Sequence, residues 1–66
     1  MSKNSKINTI INFITKHPES VASRRICREL LGEARNRIDA EFAEELVNGL
    51  NKVDDQRLET YYYLIR

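Results

Sequence analysis

The chain of 66 residues predicts a mostly helical α+β domain, three helices closed by a C-terminal β-hairpin, with an all-α four-helix bundle as the alternative. Two observations carry this. Apolar residues recur at helical spacing in three successive segments before residue 51. The last segment then carries Thr60, Tyr61, Tyr62, Tyr63, Leu64 and Ile65, a run of high strand propensity.

Residues 1–4 are polar and are expected to be disordered. Ile7, Ile10, Ile11 and Ile14 then lie on one face of a first helix, with Ser5 as its expected N-cap. Pro18 disfavours helical geometry at His17, so the helix should end near Lys16 and leave His17 in a loop. Ser20 or Ser23 caps a second helix whose buried stripe is Ile26, Cys27, Leu30 and Leu31. Gly32 is placed to end it in left-handed geometry. Asn36 or Asp39 caps a third helix, with Ile38, Phe42, Ala43, Leu46, Val47 and Leu50 facing inward.

Residues 51–66 admit two readings. As a strand pair, residues 52–53 form the first strand, 54–57 the turn and 58–65 the second. As a helix, Asp54 is the N-cap, Val53 and Leu58 form a hydrophobic staple, and Leu58, Tyr61, Tyr62 and Ile65 share a face. Composition favours the strands and periodicity the helix; the strand pair is the predicted form.

A single domain of this size has a small core and marginal stability. One cysteine, Cys27, rules out an internal disulfide, and dimerisation or partner binding is the remaining source of support. With only His17 and Cys27 as imidazole and thiol, no closed zinc sphere and no cofactor are expected. The lone thiol and the absence of an apolar run of membrane-spanning length point to a cytoplasmic setting. The sequence carries no glycine-rich phosphate loop and no histidine beside a nucleophile, so a non-catalytic protein is expected.

The net charge of +1 conceals an asymmetry. Residues 1–30 carry six bases against two acids, whereas residues 31–66 carry five against eight. Arg24, Arg25, Arg28, Arg35 and Arg37 cluster in the middle of the chain, followed by Asp39, Glu41, Glu44 and Glu45. A cluster of arginines is a candidate phosphate-binding patch. The acids, with the tyrosine run, are candidates for a protein contact.

The isoleucine spacing of the first helix, the short second helix over residues 24–31 with its Gly32 turn, the third helix ending in Glu45, Leu46, Val47, Asn48, Gly49 and Leu50, and the terminal Tyr61, Tyr62, Tyr63 and Leu64 together resemble a winged helix-turn-helix domain over residues 6–66. The resemblance implies a DNA-binding transcriptional regulator, of the sort a phage or plasmid encodes, acting as a dimer. It implies that the third helix enters the major groove, presenting Arg35, Arg37, Glu41, Glu44 and Asn48. It places Arg24, Arg25 and Arg28 near phosphate, with Lys52 and Arg57 flanking the wing. The alternative is a protein-binding inhibitor or adaptor that uses Glu41, Glu44, Glu45 and Tyr62.

Overall fold

The computed structural model describes residues 2–66, and Met1 lies outside the described residues. Four helices follow in order: α1 (Lys3–Lys16), α2 (Val21–Leu31), α3 (Ala40–Lys52) and α4 (Asp55–Leu64).

Each helix opens on a short polar side chain that accepts a hydrogen bond from the third residue on. Ser2 caps α1, Ser20 caps α2, Asp39 caps α3 and Asp54 caps α4. Such caps satisfy amide donors that have no partner inside the helix. The cap of the first helix is therefore three residues before the expected Ser5: the Ser5 N–H donates to Ser2 Oγ at 3.2 Å, and Lys3 and Asn4 are helical. The ends have equally local causes. His17, ahead of Pro18, leaves helical geometry at φ −131° and ψ 60°. Gly32 closes α2 at φ 78°, where its N–H donates to the Arg28 carbonyl at 2.9 Å.

The expected C-terminal β-hairpin is not formed, and no strand occurs among the described residues. Residues 55–64 are helical instead, as in the four-helix alternative. A local cap and burial against the other helices together explain the correction. Asp54 Oδ1 accepts the Arg57 N–H at 2.7 Å, which closes the first turn. Helical spacing then carries Leu58 and Tyr61 together into the core, with Val53, Tyr62 and Ile65 packed against it. A strand would alternate these residues between two faces, and no second sheet covers the other face. Burial on one side outweighs the modest strand preference of a tyrosine run.

The core is Ile7, Ile10 and Ile14 of α1, Ile26 and Cys27 of α2, Phe42, Leu46 and Leu50 of α3, and Leu58 and Tyr61 of α4. α1 packs on α3 and α4, and α2 packs on α3 and more lightly on α4. Both α1 and α2 thus pack against α3 and α4. Lys6 of α1 pairs with Glu59 of α4 across the outside of this packing. No described helix is long and apolar enough to cross a membrane.

Candidate nucleic-acid interface

The inward stripe of α2 is Ser23, Ile26 and Cys27, with Leu30 beside it. Its remaining face carries Val21, Arg24, Arg25 and Arg28, which border a shallow depression of about 300 Å³ together with Glu29. Val21 is 84% exposed. Among the described residues, Arg24 and Arg28 make no ion pair, so their charge is uncompensated at short range.

Glu29 is the junction of the site. Its Oε2 accepts from Arg25 Nε at 3.1 Å on the same helix. Its Oε1 accepts from Arg57 Nη2 at 3.4 Å and from the Tyr61 hydroxyl at 3.1 Å, both on α4. The bond from Arg25, then that from Tyr61, holds the Glu29 carboxyl below the usual carboxylate range. Burial, reinforced by Glu29, pushes the Tyr61 hydroxyl up.

A second depression of about 460 Å³ adjoins the first at Glu29, and Lys52, Asp54, Arg57 and Tyr61 also border it. Arg24, Arg25, Arg28, Lys52 and Arg57 therefore share one surface with two acids, Glu29 and Asp54, a local charge of +3. Three helices contribute these bases. The role expected of Lys52 and Arg57 as flanks of a wing is corrected: Lys52 is the last residue of α3 and Arg57 lies in the first turn of α4.

Arg35 and Arg37 stand apart. Arg35 is tied down locally, its Nη2 on Glu33 at 2.8 Å, its Nη1 3.9 Å from Asp39, and its guanidinium 4.4 Å over the Phe42 ring. Arg37 is exposed in the connection between α2 and α3 and borders neither depression. That connection spans residues 32–39. It is longer than the three- or four-residue turn of a helix-turn-helix pair.

Glu41, Glu44 and Glu45 are exposed on α3. Tyr62 is packed partly against the core, with the Arg66 guanidinium 5.4 Å over its ring. Tyr63 is the exposed member of the tyrosine run, at 64%. The residues sequence reasoning passed over are Glu29 and Tyr61 as parts of this site. The spacing of Arg25 and Glu29 is a legible helical pair, but nothing in the sequence places Arg57 and Tyr61 on the same carboxylate.

Comparison of the chain with protein-family models, curated proteins and solved structures finds no match.

Proposed function

We propose that this chain is a small, non-catalytic DNA-binding domain, suited to transcriptional regulation, that docks on the duplex backbone through α2 and the start of α4. The observation that carries the reading is the meeting of Arg24, Arg25, Arg28, Lys52 and Arg57 on one surface, with Arg24, Arg28 and Lys52 unpaired among the described residues. Neutralising phosphates releases condensed counterions, which is the main sequence-independent source of DNA affinity. The acidic exposed face of α3 is unsuited to the groove, because Glu41, Glu44 and Glu45 would repel the backbone. The docking helix is therefore α2.

The test is fluorescence anisotropy with a random-sequence duplex at two salt concentrations. Binding in the micromolar range at low salt, collapsing toward physiological salt, is the expected result. Arg24→Ala and Arg28→Ala should each weaken it and lower the salt slope by about 1. Variants that bind like the parent, or a parent that binds no DNA at low salt, would overturn the reading.

A second reading, a protein-binding adaptor or inhibitor, draws on a different face. Glu41 and Glu44 form no ion pair among the described residues, and Tyr63 and Leu64 are exposed apolar groups. In that case Glu41→Lys and Glu44→Lys, and not the arginine variants, would abolish capture of a defined protein partner.

A further inference from the structure

The donors around Glu29 come from two helices and converge on one carboxylate. Arg25 belongs to α2, and Arg57 and Tyr61 belong to α4. Carboxylate and phosphate oxygens are recognised by the same guanidinium geometry. Two cations surround one anion, so the cluster keeps a charge of +1 with Glu29 in place. Its charged members are accessible, the side chains of Arg25, Arg57 and Glu29 being 65%, 58% and 32% exposed, whereas Tyr61 is 1% exposed and lies beneath them. Arg25 and Arg57 each commit one N–H to Glu29, out of the five that a guanidinium carries.

We infer that Arg25, Arg57 and Tyr61 form a phosphate-binding cradle bridging α2 and α4, and that Glu29 is a built-in competitor occupying it in the free protein. The inference rests on the proposed DNA reading and extends it: it assigns one phosphate contact to a defined trio and gives the domain an internal brake on affinity. The carboxylate stands where a phosphate oxygen would stand. A DNA phosphate must either displace it or share the guanidiniums with it, and both weaken binding. Glu29 also serves the fold, since it ties α2 to α4 when no phosphate is bound.

A mutant cycle separates this from the general benefit of deleting a negative charge. Glu29→Gln keeps an acceptor for Tyr61 and removes the charge. It should bind random duplex DNA roughly threefold more tightly at low salt, the scale of one exposed ion pair. The salt slope should steepen by about 1 as the freed cradle takes a phosphate. The same substitution made on an Arg57→Ala background should give no such gain, because the cradle is already broken. An equal gain in both backgrounds would mean a long-range charge effect and would overturn the cradle, as would no gain in either.

Inorganic phosphate provides an arm independent of DNA. At equal ionic strength, phosphate should raise the melting temperature of Glu29→Gln more than chloride does, and Arg57→Ala should remove the difference. If the parent and Glu29→Gln both fail to bind DNA, the DNA reading falls and this second arm decides the cradle by itself. No phosphate-specific stabilisation there would overturn it. Should the glutamine variant fail to fold, Glu29→Ala enters the same cycle, since alanine is the strongest helix former.

Discussion

At the scale of single residues, the two glycines behave oppositely. Gly32 holds φ 78°, a region costly for residues with a Cβ, although a Cβ there would meet nothing within 4 Å. Its role is conformational, and Gly32→Ala should destabilise the protein by about 1 kcal/mol. Gly49 lies inside α3, and a Cβ there would sit 3.5 Å from Leu30 Cβ, an ordinary contact. Gly49→Ala should stabilise by up to about 1 kcal/mol, through helix propensity and a less free unfolded chain. Urea midpoints at constant slope check both signs, and a destabilised Gly49→Ala would mean that α2 and α3 pack more tightly than this geometry gives. Of the pair, Gly32 was legible as a helix end, because the left-handed requirement is local. The neighbour of Gly49 was not, because Leu30 lies on another helix.

At the scale of elements, α4 shows how a strand-like composition becomes a helix. Three tyrosines, a threonine and an isoleucine favour a strand by intrinsic preference. Against them stand the Asp54 cap, Val53 and Leu58 as a staple, and the Leu58–Tyr61 spacing that buries both. Even Thr60 adapts, its hydroxyl donating to the Gln56 carbonyl one turn back at 3.1 Å. The cap should therefore count. Asp54→Ala should lower stability by about 1 kcal/mol. Asp55→Ala, which loses an exposed first-turn charge and its attraction to Lys6 but no cap, should cost less than half of that. Thermal melts of the two variants make the comparison, and equal effects would assign Asp54 a dipole role rather than a capping one. The element order also relocates the candidate site. With no hairpin among the described residues there is no wing, and Arg57 lies on a helix that packs beside α2.

For the whole molecule, a core of ten buried apolar residues among the described residues supports the four helices. Proteins of this size hold only a few kcal/mol of net stability. Phe42 is wholly buried in α3 and also carries Arg35 on its ring. Phe42→Ala should cost about 3–5 kcal/mol, comparable to the entire stability. Far-UV circular dichroism at 25 °C should then show a largely unfolded chain, whereas a cooperative melt near that of the parent would point to a core that collapses around the cavity. The same small core explains why polar ties such as Lys6 to Glu59 and Glu29 to Arg57 lie at its margins, where they link α4 to its neighbours without being buried.

By itself the sequence determined the features that depend on neighbours along the chain. Apolar spacing set the first three helices, Ser20 and Asp39 were among the starts read for the second and third, the first was read at Ser5 rather than Ser2, and Pro18 and Gly32 set the two ends. Each acts within about one helical turn, so its effect can be read without knowing the fold. The tertiary structure decided the rest. Whether residues 55–64 became helix or strand turned on which alternative could bury Leu58 and Tyr61 against α1 and α2. Which bases share a surface turned on the same packing. It brought Arg57 and Lys52 beside the α2 arginines and left Arg35 bound to its own loop. Glu29 and Tyr61, 32 positions apart, meet only because α2 and α4 do, and no local rule of spacing encodes that contact.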